Sequence, residues 1–345
     1  WCLGTLQAHR ALQHITGSLI LSDGSVGHQF FKMVVHQLHP HALITHDGIV
    51  DLMPFLLTNK IPNRMGCHHD LQRRNPPLDD LLFALDLLPG FFLVLVQGLE
   101  LFFQPIIGIG KANGQSRGHY ELLLRMRDES GEIVNPDQFI PAAERYNLMS
   151  TLDRWVISTA IAKLADREAD GEARYTIAIN LSGTSLSEDR FLEDVIQELE
   201  KQKLPHGAVC FEITETAAIS NLSRVIHFMK TLKKLGCKFS LDDFGSGLSS
   251  FTYLKNLPVD DLKIDGQFIR NVADDTVDES MVKAIWEVGH AMGIQTIAER
   301  VETKQVLEKL GSLGIEFAQG YYIARPTSVS SFEPWGSNRF SELSA

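Results

Sequence analysis

The sequence predicts an α/β fold, a (β/α)8 barrel with an antiparallel first strand, preceded by an N-terminal segment to which no fold can be assigned. From Leu99 onward, short apolar runs alternate with amphipathic stretches of helical period, which is typical of a parallel sheet covered by helices. Eight such runs fit within about 230 residues, a size that suits a closed barrel. Only Gly108–Gly118 joins the first two runs, which leaves no room for a helix and favours an antiparallel pair.

Each element of the barrel is predicted from the period of its apolar residues. The apolar runs place strands near residues 99–107, 119–127, 174–182, 208–215, 238–243, 260–265, 294–299 and 317–324. The amphipathic stretches place helices near residues 136–147, 150–168, 187–203, 220–235, 278–291 and 303–313. The helical period is clear at Val225, Phe228 and Leu232, which recur every three to four residues. This order of elements predicts a barrel domain over residues 99–330 and a Ser-rich, loosely ordered tail over 331–345.

Residues 1–98 differ from the rest of the chain in composition and in the pattern of their apolar residues. They hold nine of the 13 histidines, and their apolar residues follow neither the strand period nor the helical one. His36, His39 and His41 could bind a metal, but a histidine-rich solvated loop is the simpler interpretation. The composition also fits a remnant domain, a linker or a stretch translated in the wrong frame. The segment is therefore left unassigned.

The overall composition excludes several classes of protein. The 32 basic and 43 acidic side chains give a net charge of −11, which repels a phosphate backbone and argues against a duplex nucleic acid partner. The four cysteines form no C-x-x-C pair, which suits a reducing, cytoplasmic environment. The most apolar stretch is broken by Asp86 and Pro89, so no membrane span is predicted. A small anionic ligand held through divalent cations remains compatible with this charge.

Polar side chains stand at the ends of successive apolar runs. In a barrel, the carboxyl ends of the strands converge on one mouth, so these side chains are the candidate site. They are Glu121, Asn180, Glu212, Asp242, Asp243, Lys263, Glu299 and Gln319. Taken singly, Asn180 could cap a turn, Glu299 could begin a helix and Lys263 could pair with Asp265. Taken together, so many buried carboxylates are costly unless cations compensate them.

The residue types at the mouth predict a metal-dependent reaction on a phosphodiester. Carboxylate and amide oxygens suit Mg²⁺ or Mn²⁺ rather than zinc, and two such ions could clamp a phosphodiester and activate a water. Lys263 would orient that water or offset transition-state charge, and Glu299 would accept a proton or hold a water. The glycine-rich segment after Asp243 could form a loop that moves, with Glu215 as its anchor, although a plain strand-to-helix turn is an equal alternative.

The motifs in these strands resemble the EAL-domain cyclic di-GMP phosphodiesterases of bacterial signalling. The resemblance covers about Leu99 to Pro326. It rests on eight ordered motifs: Phe103-Gln104-Pro105-Ile106, Glu121-Leu122-Leu123-Leu124-Arg125, Ile179-Asn180-Leu181-Ser182, Phe211-Glu212-Ile213-Thr214-Glu215, Asp242-Asp243-Phe244-Gly245-Ser246-Gly247, Leu262-Lys263-Ile264-Asp265, Ala298-Glu299-Arg300-Val301-Glu302 and Gln319-Gly320-Tyr321.

The resemblance implies a TIM-like barrel that opens cyclic di-GMP to linear pGpG with two Mg²⁺ or Mn²⁺ ions. It implies metal ligands at Glu121, Asn180, Glu212, Asp242 and Asp243, with Asp242 bridging the ions. It implies catalytic or water-holding roles for Glu121, Lys263, Glu299 and Gln319. It makes Gln104 and Arg125 candidate substrate contacts, the latter because a guanidinium suits a phosphate. It further implies a homodimer and a cytoplasmic domain that upstream sensory or cyclase-like domains could tether.

Two positions depart from the family pattern. The signature Glu-Ala-Leu is Glu121-Leu122-Leu123 here, which places a bulkier side chain beside the carboxylate. Arg300 stands where the family usually has glycine, and it adds volume and charge beside Glu299 in a way that could lower the rate. The alternative function is a receptor that binds the dinucleotide without cleaving it. Because the whole ligand set is present, the sequence favours the enzyme.

Overall fold

The structure is a computed structural model that describes residues 98–109, 118–128, 130–169, 175–202, 204–246 and 251–331. The expectations for the histidine-rich N-terminal segment, for the C-terminal tail and for part of the glycine-rich loop lie outside these residues. The strands are β1 Leu99–Gly108, β2 Gly118–Arg127, β3 Ile133–Val134, β4 Tyr175–Leu181, β5 Val209–Thr214, β6 Lys238–Phe244, β7 Asp261–Ile264, β8 Gln295–Ala298, β9 Phe317–Ala318 and β10 Thr327–Ser328.

Helices follow or separate most of these strands. They are α1 Pro136–Arg145, α2 Met149–Ala169, α3 Gly183–Ser187, α4 Phe191–Lys201, α5 Glu215–Ser220, α6 Leu222–Lys234, α7 Phe251–Leu254, α8 Gly266–Ile269, α9 Thr276–Ala291 and α10 Lys304–Leu313, and a 3₁₀ turn lies at Val329–Ser331. None of the described helices has the length and apolar character that crossing a membrane requires.

Eight of the strands close into a barrel in the order β1-β9-β8-β7-β6-β5-β4-β2, and β1 pairs with β2 to complete the circle. From β2 through β4 to β9, neighbouring strands of the barrel are parallel, for example with Glu121 opposite Ala178 and Asn180 opposite Glu212. The short β3 lies outside the barrel and is antiparallel to β2. β1 is antiparallel to β9, with Ile107 opposite Ala318. The predicted barrel with an antiparallel first strand is therefore confirmed.

The parallel strands are apolar along their whole length because both faces of the sheet are buried. In β5 the residues from Val209 to Ile213 are all buried, and Glu212 is the one acidic side chain among them. Phe211, Phe239 and Phe228 pack in mutual contact between the sheet and α6. The barrel lies in a compact unit of Glu100–Arg125 and Ala143 onward, whereas Met126–Ala142 belongs to a second unit.

Most predicted elements lie within a few residues of the observed ones, and two predictions are wrong in detail. The eighth strand ends at Ala318 rather than at residue 324, because the chain turns at Gly320, whose carbonyl accepts the amides of Ile323 and Ala324. The helix predicted over 187–203 is α4, which begins four residues later, at Phe191, and a separate short helix, α3, precedes it. α3 is capped by Ser182, whose hydroxyl accepts the Ser185 amide, and apolar period does not reveal such a side-chain cap.

Candidate metal and catalytic site

A buried lysine lies at the centre of the mouth of the barrel. Lys263 on β7 is 1% exposed, and its ammonium contacts carboxylates from four other parts of the barrel. The distances from Lys263 Nζ are 3.4 Å to Glu121 Oε2, 2.9 Å to Glu212 Oε2, 3.1 Å to Asp242 Oδ1 and 2.7 Å to Glu299 Oε1. The sequence-based alternative that Lys263 pairs with Asp265 is wrong, since Asp265 caps α8 by accepting the Gln267 amide.

The charges in this cluster shift one another's protonation. Burial opposes the charged form of Lys263, but the surrounding carboxylates outweigh it and hold its pKa well above the usual value. Burial likewise disfavours the charged form of Asp242, yet the contact with Lys263 lowers the pKa of that carboxyl. The Lys263 ammonium therefore offsets part of the free-energy cost of burying ionised carboxylates in this cluster.

Two carboxylates in the cluster are not fully compensated. Burial raises the pKa of Glu299 to about 8, with a further contribution from Asp242. Burial also raises the pKa of Glu212 well above its usual value, and Glu121 and Asp242 add to that increase. Oε1 of Glu212 is buried with no hydrogen-bond partner among the described residues. A buried carboxylate oxygen without a partner is a group that a bound cation would satisfy.

The two consecutive aspartates reach the same mouth because β6 is irregular where it carries them. Adjacent residues of a regular strand point to opposite faces, so Asp242 and Asp243 could not both face the site. The register between β6 and β7 shifts between Leu241 and Phe244, and Asp243 has φ 53°. A bulge at this place turns Asp243 toward the mouth at the cost of a left-handed backbone conformation.

Neutral amides surround Glu121 on the other side of the cluster. Asn180 Nδ2 donates to Glu121 Oε1 at 2.7 Å, and Gln319 Nε2 donates to Glu121 Oε2 at 2.6 Å. Gln319 Nε2 also lies 3.2 Å from Gln104 Oε1, while Gln104 Nε2 donates to the carbonyl of Ala324 at 2.9 Å. The predicted residues Gln104, Asn180 and Gln319 are therefore joined to the acidic cluster through one carboxylate.

Glu215, the predicted loop anchor, is buried at the start of α5 and contacts the beginning of the glycine-rich loop. Its Oε2 accepts the amide of Gly245 at 3.0 Å, and its Oε1 accepts the hydroxyl of Tyr253 at 2.5 Å. Gly245 has φ 99°, which favours glycine at this turn. Tyr253 was missed by the sequence reasoning, because a tyrosine in a short helix gives no signal of its hydrogen-bond partner.

Arg125 is the predicted residue that the structure does not bring into the cluster. Its Nη1 donates to the carbonyl of Leu124 at 2.8 Å, and its guanidinium lies 5.8 Å from the ring centre of Phe102. Gln104, by contrast, lines the open cavity of about 480 Å³ above the cluster. The walls of that cavity also carry residues that the sequence reasoning did not assign to the site: Leu123, Arg270, Arg300, Glu302 and Tyr321.

The donor set fits a hard divalent cation. Asp242, Asp243 and Glu299 each offer a carboxylate oxygen, and these oxygens lie within 4.8 Å of one another. Burial raises the pKa of Asp243, and the neighbouring Asp242 adds to the increase. Oxygen ligands without histidine or cysteine suit Mg²⁺, Mn²⁺ or Ca²⁺ better than zinc. This acidic cluster could therefore bind a metal.

The comparison with protein families agrees with this arrangement. The family model described as EAL domain matches residues 94–326. The chain belongs to the EAL-domain family. The resemblance that the ordered motifs predicted is thus confirmed, and the match covers the barrel and every residue of the candidate site.

Curated EAL-domain relatives include enzymes of cyclic di-GMP turnover. The chain is 43% identical over 234 residues to cyclic di-GMP phosphodiesterase PdeB of Shewanella oneidensis, a match that covers 68% of this chain and 27% of PdeB. It is 38% identical over 239 residues to cyclic di-GMP phosphodiesterase PdeF of Escherichia coli, covering 67% of this chain and 31% of PdeF. The chain therefore matches about a quarter to a third of the length of these relatives.

Solved EAL domains share the fold. The EAL domain of FimX from Pseudomonas aeruginosa, in a structure bound to c-di-GMP, is 29% identical with a TM-score of 0.64, covering 72% of this chain and 98% of the FimX chain. The PaMucR phosphodiesterase, in a c-di-GMP complex, is 31% identical with a TM-score of 0.63, covering 73% of this chain and 98% of that one.

Proposed function

We propose that this EAL domain hydrolyses cyclic di-GMP to linear pGpG with the help of two divalent cations, Mg²⁺ or Mn²⁺. The observation that carries the proposal is the cluster at the barrel mouth, in which one buried lysine is shared by four carboxylates and Asp243 adds a fifth. The names of the curated relatives PdeB and PdeF support the choice of substrate.

The charge balance of the cluster supports two ions rather than one. When all five carboxylates are ionised, they carry five negative charges, and the Lys263 ammonium offsets one of them. Before the nearby Arg300 is counted, the remaining four equal the charge of two divalent cations. We assign Glu121, Asn180, Glu212, Asp242 and Asp243 as the ligands. Such a pair of ions would supply a clamp for the phosphodiester and a water of lowered pKa.

The chain's own residues have defined parts in this reaction. Water oxygen attacks phosphorus, the bond from phosphorus to the ribose 3′ oxygen breaks, and a proton must reach that leaving oxygen. Lys263 places a fixed positive charge where negative charge develops on the phosphate. Glu299, whose pKa burial raises to about 8, can take up or release a proton near neutral pH. Gln319 holds Glu121 in place through the hydrogen bond at 2.6 Å.

Substrate binding is proposed to use Gln104 and Arg125. Gln104 lines the cavity and is held by hydrogen bonds to Gln319 and to the carbonyl of Ala324. Arg125 donates to the Leu124 carbonyl through Nη1, and its guanidinium carries further N–H groups of the kind that suit a phosphate. We further propose that Glu215 anchors the glycine-rich loop, that the domain works as a homodimer in the cytoplasm, and that other domains of a longer protein tether it.

The proposal is tested by incubating the full chain with cyclic di-GMP and Mn²⁺ or Mg²⁺ and following the product by mass spectrometry. We expect a product heavier than the substrate by one water, and none in EDTA. Lys230→Gln, which removes an exposed charge from the middle of α6, is the matched control and should retain the rate. Tight binding of cyclic di-GMP without product would favour the receptor instead.

A further inference from the structure

Arg300 has an unusual backbone conformation beside the cluster. It follows Glu299 directly and has φ 52°, a left-handed value that glycine adopts at no cost and that side-chain-bearing residues rarely adopt. An arginine that only obstructed the site would combine this strain with a loss of rate. Its presence is easier to understand if the side chain has a use of its own.

Gly266 gives the Arg300 side chain a place to lie. A Cβ atom at residue 266 would be 2.4 Å from Arg300 Cδ, 2.7 Å from Cγ and 2.8 Å from Cβ. These separations are too short for any side chain at residue 266 to coexist with the arginine as it stands. Gly266 has no positive φ, so the backbone at this position does not itself require glycine. The missing side chain at residue 266 therefore fits the arginine stem.

The Arg300 side chain lines the cavity above the acidic cluster together with Arg270. Both arginines are exposed. Among the described residues, the Arg300 guanidinium forms no ion pair within 4.0 Å, although its charge acts on the nearby Asp243 carboxylate. The Lys263 ammonium, by contrast, contacts four carboxylates. The cavity therefore has the acidic cluster as its floor, and its walls carry Arg300 and Arg270 together with Glu302.

From this arrangement we infer that Arg300 binds a phosphate oxygen of the cyclic dinucleotide and that Gly266 positions the arginine for that contact. The inference rests on the proposed function. A cyclic dinucleotide carries two phosphates, and only one can be cleaved at a time on the acidic floor. The second phosphate needs a cation elsewhere in the cavity, and the planar guanidinium fork forms paired, charge-assisted hydrogen bonds to phosphate oxygens.

The test compares steady-state constants of the full chain, with Mn²⁺ and cyclic di-GMP, for the wild type and for Arg300→Gly. We expect KM to rise about tenfold while kcat changes less than twofold, since the contact is present before and during cleavage. Arg300→Lys should recover part of the loss. The thermal midpoint should not fall, because glycine removes the left-handed strain. Lys230→Gln, the control for a lost surface charge, should keep its KM.

A double-mutant cycle tests the positioning by Gly266. Gly266→Ala should raise KM in the wild type by displacing the arginine stem, and it should have no further effect on KM in the Arg300→Gly background. Equal effects of Gly266→Ala in both backgrounds would overturn the positioning role. An unchanged or lower KM in Arg300→Gly would overturn the phosphate contact and show that the arginine merely obstructs the site.

A failure of the proposed function gives a different result from a failure of this inference. If the wild type shows no turnover, the hydrolase proposal fails, and calorimetric titration with cyclic di-GMP then measures the Arg300 contact directly. A tenfold weaker dissociation constant in Arg300→Gly would support the contact in a receptor. Equal dissociation constants, or no binding by the wild type, would overturn it.

Discussion

The two ends of the barrel both hold charged side chains, and they balance them differently. At the amino end, Lys233 Nζ contacts Asp260 at 2.7 and 2.8 Å, and Asp260 Oδ2 also accepts the Phe239 amide at 2.9 Å. One cation faces one carboxylate there, and a backbone donor completes the bonding. At the carboxyl end, Lys263 is shared among four carboxylates. A matched pair leaves no net charge to compensate, whereas an excess of carboxylates is a place where cations could bind.

Asp261, at the amino end, departs from this matching. Asp261 is 2% exposed, and its Oδ2 is buried with no partner among the described residues. Burial raises the pKa of Asp261 to about 6, with a smaller contribution from Asp260. The two ends can therefore be compared by mutating a shared cation, an unmatched carboxylate and a matched ion pair.

The largest effect is expected for the acidic cluster itself. Asp242→Ala or Glu121→Ala should lower turnover of cyclic di-GMP by about a thousandfold or more, because each removes a ligand from the proposed ions. The fold should persist, since removing one carboxylate relieves repulsion among the others. Turnover and circular dichroism of the two variants check both statements. Turnover at the wild-type rate in either variant would remove the ligand assignment.

Lys263→Met should give the next largest effect, this time on stability. Removing the shared ammonium leaves buried carboxylates uncompensated, which costs about 3–5 kcal/mol in similar buried pairs. Urea unfolding in EDTA measures the loss, and saturating Mn²⁺ should restore much of it. A loss that Mn²⁺ does not change would mean that metal ions do not share these carboxylates.

Asp261→Asn should stabilise the protein at neutral pH by about 1–3 kcal/mol, because the folded protein then no longer buries an ionised carboxylate. A carboxyl whose pKa is raised from 3.8 to about 6 on folding stabilises the fold below pH 4 and loses that contribution as the pH rises to 6. The free energies of unfolding of variant and wild type should therefore agree near pH 4 and diverge by pH 7. A difference independent of pH would show that packing, rather than charge, is responsible.

The smallest effect is expected for the matched pair at the amino end. Lys233→Met should cost at most about 1 kcal/mol, because the Lys233 and Asp260 side chains are 32% and 30% exposed and solvent screens their attraction. Turnover should be unchanged. The measurement is urea unfolding of Lys233→Met and Lys263→Met side by side. An equal loss of unfolding free energy in the two variants would contradict the proposed difference between the two ends.

The sequence predicts the barrel, and which residues lie at its mouth, better than it predicts the contacts among those residues. Eight apolar runs with polar ends locate Glu121, Glu212 and Asp242, because parallel strands bring their carboxyl ends together. The central position of Lys263 is not predictable in the same way, since it depends on the lengths of four facing side chains. Asp243 reaches the mouth through a bulge, and strand period alone would place it on the opposite face.

The cavity walls are the least predictable part of the site. Arg270 lies one residue beyond α8 and Tyr321 lies in the turn after β9, so neither belongs to a run with a polar end. Gly266 and Arg300 pack together although they lie 34 positions apart in sequence. In the sequence alone, Gly266 gives no signal and Arg300 is only a departure from the family pattern. Only the folded chain shows that the missing side chain at one position makes room for the other.

Calorimetric titration of the full chain with Mn²⁺ tests the excess-carboxylate account most directly. Two ions should bind per chain, and Asp242→Asn should bind fewer, whereas Asp260→Asn at the matched amino end should still bind two. Absence of Mn²⁺ binding by the wild type, or equal binding by all three proteins, would contradict the account.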